Sequence, residues 1–327
     1  MPITDVRSDP RALTLTVTAE YPVPVERLWA AFADPRQLEK FWGPEGWPAT
    51  FTRHDMTPGG RSAYYMTGPD GTRAQGWWRF ISVEPHRSFE VEDGFAHEDG
   101  RPNTSMPTMH MAYTFAATPT GSTFTSVTRF PSTEAMEQLV AMGMLEGLRS
   151  AIGQLDDVLA DLASFAADRA TAAQILNDTQ VRISRVIRGN VQQVWRAHHE
   201  PELLQRWLLG PDGWTMPVCV VASKVGDSFR YEWEKEDGSE RFGFEGELLE
   251  SQAPNRTVTT ERMIGTDGPV TTNEMTLTAV DDGTLLSIVI TYPNAEVRDA
   301  VLGTGMTEGM EQSYARLEES VLEGAAA

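Results

Sequence analysis

One cysteine, Cys219, and three lysines, Lys40, Lys224 and Lys235, are all that 327 residues carry of those two types. A single thiol excludes an internal disulfide and any multi-cysteine metal site. Its place in the apolar run 218–221 predicts a buried, inert group. No apolar run approaches ~18 residues and no charged-then-apolar leader is present, so neither a membrane span nor secretion is expected, and a cytoplasmic protein is. Positive charge is scarce as well: 27 basic residues face 47 acidic ones, a formal charge of −20. A surface so acidic repels phosphate backbones and anionic lipid, so nucleic acid and membranes are not expected as partners.

Catalytic and metal-binding patterns are also missing. The adjacent His198 and His199 fall on a predicted helix, where their side chains diverge and cannot chelate one ion together. His110 alternates outward between Met109 and Met111, and reads as exposed. Asp281-Asp282-Gly283 and Glu236-Asp237-Gly238 lack the rest of a calcium-loop spacing and read as hairpin turns. Glu146 and Glu308, each followed by a glycine, read as helix-surface or capping residues. No cofactor, metal or catalytic constellation is expected.

What the chain does have is a repeat. The stretch VPVERLWAAFADPRQLEKFWGPEGWP, 23–48, returns as GNVQQVWRAHHEPELLQRWLLGPDGWT, 189–215. Trp29 answers to Trp195, 166 positions on, and Gly43-Pro44-Glu45-Gly46-Trp47 to Gly210-Pro211-Asp212-Gly213-Trp214, 167 positions on. Asp70-Gly71 matches Asp237-Gly238, Pro85-x-Arg87 matches Pro254-x-Arg256, and Gly143-Met144-x-Glu146-Gly147 matches Gly305-Met306-x-Glu308-Gly309. A period of about 165 residues is too long for a solenoid unit and suits a whole domain. The expected organisation is a first domain at 12–165, an alanine-rich helical linker at 166–177 and a second domain at 178–325.

Within each copy the periodicity changes in the same order. Residues 1–11 lack a period and are expected to fray. Leu13 to Ala19 alternates as a half-buried strand does, and Val181 to Val186 copies it. Pro24 opens a helix that Asp34-Pro35 ends, and a second short helix follows at 38–42. From 50 to 130 about six strands are separated by Gly, Pro and Asp turns. After Pro131 the period becomes 3.6, with Met136, Leu139, Met144, Leu148, Ile152, Leu155 and Leu159 on one face of a long helix. The predicted class is α+β, two tandem domains, each a curved antiparallel sheet wrapped around a long C-terminal helix.

Trp29, Asp34-Pro35, Phe41-Trp42-Gly43-Pro44-Glu45-Gly46, Pro58-Gly59-Gly60, Gly68-Pro69-Asp70-Gly71 and Glu84-Pro85-x-Arg87 resemble the AHSA1-like branch of the START or SRPBCC superfamily, whose domains are helix-grip and Bet v 1-like. The second copy departs from the pattern: Leu208-Leu209 replaces Trp-Gly and Val225-Gly226-Asp227 replaces Pro-Gly-Gly. The resemblance implies a cavity between sheet and helix that holds a bulky hydrophobic or aromatic molecule, polyketide-like, in natural-product biosynthesis or in self-resistance of the enediyne type. It also implies cyclase or aromatase activity as an alternative, for which strand alternation offers Tyr64, Gln75 or Arg79 to assist proton transfer. A protein-interaction module is a third reading. The family's namesake stimulates Hsp90 through a further N-terminal domain with no counterpart here, so Hsp90 is not an expected partner.

Strand alternation names the residues for such a cavity. In the second copy Tyr231, Trp233, Phe242, Phe244, Met275, Leu277, Leu286, Ile288 and Ile290 share the inward face. Carried back by the repeat, Tyr64, Met66, Gln75, Trp77, Tyr113, Phe115, Phe124, Ser126 and Thr128 do so in the first. The long helices add Met144 and Met306. The candidate ligand-binding set is Tyr64, Met66, Gln75, Trp77, Tyr113, Phe124, Met144, Tyr231, Trp233, Phe242, Phe244, Met275, Ile288 and Met306. On this reading the first face is the more polar and the second the more purely apolar. The first copy also carries seven extra residues within 94–108, either mobile surface or a lid.

Overall fold

The computed structural model describes residues 3–280 and 283–322. The chain forms two compact units, 1–165 and 166–327. The turn expected at Asp281-Asp282 lies outside the described residues.

The first unit is an antiparallel sheet of β1 (Ile3–Asp9), β2 (Thr14–Tyr21), β3 (Ala49–His54), β4 (Arg61–Thr67), β5 (Arg73–Glu84), β6 (Ser88–Phe95), β7 (Met109–Thr118) and β8 (Gly121–Arg129), in spatial order β1-β2-β8-β7-β6-β5-β4-β3. Helices α1 (Val25–Ala33) and α2 (Pro35–Leu38) join β2 to β3. Then α3 (Thr133–Ala141) and α4 (Met144–Ala160) follow β8, and α5 (Leu162–Ala167) ends the run. In β2 the alternation is visible as burial of Leu15, Val17, Ala19 and Tyr21. Helix α1 buries Leu28, Trp29 and Phe32 against the sheet. The core is aromatic: Phe32 stacks on Phe124 at 5.2 Å and Phe89 on Tyr113 at 4.4 Å. Such pairs add to the area they bury.

The second unit repeats this order with β9 (Ala172–Ile175), β10 (Gln180–Ile187), α6 (Val191–His199), α7 (Pro201–Trp207), β11 (Trp214–Val220), β12 (Ser228–Lys235), β13 (Arg241–Gln252), β14 (Arg256–Met263), β15 (Thr271–Val280), β16 (Gly283–Thr291), α8 (Ala295–Leu302) and α9 (Met306–Leu317). Its sheet order, β11-β12-β13-β14-β15-β16-β10-β9, is the first sheet's order read from the other end. The two sheets therefore have one topology. Among the described residues no helix is long and apolar enough to cross a membrane.

Three expectations are corrected. Residues 3–9 do not fray: they pair with β2 from Ile3 opposite Ala19 to Asp9 opposite Thr14, and the Asp9 carboxylate caps the turn by accepting from the Arg11 and Ala12 amides. The segment 166–177 is not a helical linker, because α5 stops at Ala167 and Ala172–Ile175 is a strand paired with β10. Alanine's helix propensity amounts to a few tenths of a kcal/mol per residue, and the unpaired backbone edge of β10 outweighs it. The long C-terminal helix is broken in both units. Gly143, at φ 88°, separates α3 from α4 and Gly305, at φ 78°, precedes α9; that left-handed conformation favours glycine and interrupts the helical ladder.

Candidate functional site: two cavities with one repeated carboxyl

Antiparallel partners share a face of the sheet, so register decides which residues can meet. In the first unit Tyr64 pairs with Gly76, Met66 with Ala74, Ser62 with Trp78 and Trp78 with Asp93. These form the inward face. A cavity of about 220 Å³ opens there between the sheet and α4, lined by Trp42, Tyr64, Met66, Met109, Met111, Met144, Leu148 and Ala151 among others. Tyr64 lies flat over Gly76: a Cβ on that glycine would sit 2.4 Å from the Tyr64 Cζ.

The polar end of this cavity is Asp93. Its Oδ1 accepts from the Trp78 indole N–H at 2.7 Å. Burial pushes the carboxyl up to about 6, against the opposing effect of hydrogen bonds from Trp78 and Tyr64. The Tyr64 hydroxyl is itself raised, first by burial and then by the field of Asp93.

In the second unit a cavity of about 180 Å³ is lined by Tyr231, Met275 and Ile288, and by His198, His199, Glu261 and Asn273. Burial raises the Glu261 carboxyl, opposed by a hydrogen bond from Asn273. His198 Nδ1 lies 2.8 Å from the Val194 carbonyl, and burial pushes that imidazole down to about 4. Its Nε2 is buried with no hydrogen-bond partner among the described residues. His199 likewise reaches the Trp195 carbonyl at 2.8 Å and is lowered by burial. Among the described residues no group of His, Cys, Asp and Glu is placed to hold a metal ion.

The family model for the activator of Hsp90 ATPase homolog 1-like protein matches residues 22–160 and again 189–321. The chain belongs to this family. No curated protein matches it. Among solved structures it is similar to protein Ms6760 from Mycobacterium smegmatis, at 49% identity over 48% of this chain and 97% of that one, with a TM-score of 0.46. It is also similar to a protein from Arthrobacter aurescens, at 44% identity over 49% of this chain and 93% of that one, TM-score 0.47. DynU16, a protein of the dynemicin biosynthetic locus, is similar over 96% of this chain and 100% of its own length at 17% identity, TM-score 0.34.

Within these AHSA1-like domains the candidate residues divide. Tyr64, Met66 and Met144 line the first cavity and Tyr231, Met275 and Ile288 the second. Gln75 borders the first between Ala74 and Gly76, but it pairs with Tyr65 and its parity is that of the opposite face. Trp77 shares that outer parity, donating to the Phe95 carbonyl at 3.0 Å, while Trp78 is the buried indole, 1% exposed. The reason is a one-residue slip in the β4–β5 turn. Tyr64 corresponds to Tyr231, 167 on, but its partner Gly76 corresponds to Phe244, 168 on. A one-residue slip exchanges the faces.

Tyr113 and Phe124, 1% and 2% exposed, are packed into the aromatic core and not into the cavity wall. Trp233 donates to the Leu208 carbonyl and stacks on Phe242 at 5.1 Å, with Phe244 beside it; these three form a cluster outside the cavity lining. Met306 packs against Val181, Ile183, Ile290 and Tyr292. Arg79 points outward and pairs with Glu92 at 2.7 Å. Cys219 is half-buried, its thiol pushed up to about 11.

The same register exposes what the sequence reading missed. In the β5–β6 and β13–β14 hairpins Glu84 pairs with Ser88 and Gln252 with Arg256, so Arg87 corresponds to Asn255 and the Pro-x-Arg match is one residue out of step. Six extra residues, not seven, then fall in the 94–108 loop. Asp93 corresponds to Glu261. Each domain thus carries a carboxyl at one strand position, Asp93 buried and Glu261 half-buried in the cavity wall, with a tyrosine, Tyr64 or Tyr231, whose hydroxyl feels its field. The expected polarity is also reversed: Phe32, Phe89 and Met111 of the first domain are replaced by His198, Thr257 and Asn273, all in the wall of the second cavity. Ser126 and Thr128, expected to make the first face polar, are buried and outside its cavity lining.

Proposed function

We propose that the first domain binds a small aromatic or hydrophobic molecule between its sheet and α4. The observation that carries this is the cavity of about 220 Å³ walled by Met66, Met109, Met111, Met144, Leu148 and Ala151, with the Tyr64 and Asp93 polar atoms at one end. Apolar walls with a few convergent polar groups are the usual make-up of a ligand site, and methionine adapts to the ligand's outline. An apolar cavity of roughly 150 Å³ takes up benzene, so this one suits one to two rings. Within this reading, sequestration of an aromatic natural product, for biosynthesis or self-resistance, extends to ligands of that size. A polycyclic polyketide requires α4 to withdraw from the sheet.

The test is a titration of the full chain, carrying ¹³C-methyl methionine, with naphthalene and indole. Shifts at Met66, Met109, Met111 and Met144 are expected, and Ala151→Phe, which fills the cavity, is expected to abolish them. Unmoved methyls with both probes, or undiminished binding by a folded Ala151→Phe variant, overturn the reading.

One observation favours a cyclase-type reaction in the same place. A carboxyl at about 6 beside a tyrosine hydroxyl lies in the range useful for general acid–base chemistry. Turnover of a bound ligand that Asp93→Asn abolishes while leaving its affinity intact is the result that selects the enzyme over the carrier.

A further inference from the structure

The second cavity wall holds a carboxyl with no cation beside it and an acceptor that the protein does not satisfy. Asp93 is answered within its own domain by the Trp78 indole N–H. At the place of Trp78 the second domain has Gly246, and the ring covering it is Phe229, 2.7 Å from where a Gly246 Cβ would lie. A phenyl ring offers no N–H. Glu261 is one methylene longer than aspartate, and the hydrogen bond that bears on its carboxyl comes from Asn273. No lysine or arginine lies in this wall. A second acceptor stands in the same wall. His198 Nδ1 must carry the proton to donate to the Val194 carbonyl, which leaves Nε2 as a lone pair with no partner among the described residues.

A carboxylate partly withdrawn from water in a cavity wall without a cation is costly, and an entering cation relieves that cost. We propose that the second cavity is a binding site for a small protonated amine carried on an apolar ring, with Glu261 as its counter-ion and Tyr231 and Phe229 as its aromatic wall. The two rings lie 5.1 Å apart, and aromatic faces attract a cation. The volume of about 180 Å³ suits a single ring with a short arm. This site does not depend on the reading of the first cavity.

Calorimetric titration of the full chain with phenethylamine, 2-phenylethanol and phenylacetate tests it. Phenethylamine is expected to bind at least tenfold more tightly than the alcohol, and phenylacetate not at all. Glu261→Gln is expected to weaken the amine at least tenfold while leaving the alcohol within twofold. A readout that needs no variant is the Glu261 carboxyl ¹³C resonance of the wild type, which is expected to move to its ionised position with the amine and not with the alcohol, together with the Met275 methyl signal. Equal affinity for amine and alcohol, undiminished amine binding by a folded Glu261→Gln variant, or failure of phenethylamine, benzylamine and tryptamine alike to bind overturns the proposal. So does a response at Met66 and Met144 in place of Met275.

Discussion

Asp93→Asn tests the electrostatics of the first cavity directly. Burial raises this carboxyl from 3.8 to about 6, so the folded chain holds the proton more tightly than the unfolded chain does. The stability that goes with the protonated form is fully present below about 3.8 and is lost as the pH rises through about 6. The difference between those two values is worth about 3 kcal/mol. Asparagine imitates the protonated acid: its Oδ1 still accepts from the Trp78 indole and its amide can donate to the Tyr64 hydroxyl oxygen. The variant is therefore expected to match the wild type near pH 3.5 and to exceed it by about 3 kcal/mol near pH 7.5. The assay is denaturant unfolding of both proteins across that range, following the first-domain transition. Taking the difference between the two cancels every other titrating group. A difference independent of pH, or one that moves in the wild type's favour as the pH rises, would show a carboxylate stabilised by the fold and would refute the assignment.

Trp78→Ala removes a fully buried indole and leaves Asp93 with Tyr64 alone in place of its two donors, so a loss of about 3–5 kcal/mol is expected, against about 1 kcal/mol for the half-buried Trp77→Ala. Denaturation midpoints that rank the two the other way round would show the register assignment to be wrong. Gly76→Ala places a Cβ 2.4 Å from the Tyr64 Cζ, forcing that ring from its seat at a cost of about 1–3 kcal/mol. Weakened binding of the first-cavity probes, with second-cavity titrations unchanged, is the expected outcome, and unchanged affinity in the first cavity would show that Tyr64 does not shape it.

The fold was legible because it is written twice. Trp29 and Trp195, the Gly-Pro-x-Gly-Trp turns and the Gly-Met-x-Glu-Gly helix starts fix the order of elements without any knowledge of contacts. That Tyr231, Met275 and Ile288 face a cavity was legible because alternation over a strand needs only the neighbouring residues, and the repeat carried the same face to Tyr64 and Met66. What failed was whatever depended on counting across a turn. One residue gained by the second copy between Gly238 and Arg241, where the first has Gly71 and Arg73, turned Trp77 into a false candidate and hid Trp78. The coincidental match of Pro85-x-Arg87 with Pro254-x-Arg256 aligned Asp93 with Arg262, and so concealed that Glu261 repeats the acid.

The differences between the copies follow from the same register. Where the first domain fills its interior with Phe32, Phe89 and Tyr113, the second has His198, Thr257 and Met275, and the space the rings occupied becomes part of the second cavity wall. Removing ring volume from a core without replacing it leaves a void that costs stability, and leaving His198 Nε2 without a donor adds a desolvation cost. Those penalties sit together in one wall, around the carboxyl position that both domains keep. A duplicated domain that merely drifted would scatter such losses over its interior. Their concentration in the wall that holds Glu261 is what the proposed amine site requires, since there the ligand would supply the missing contacts.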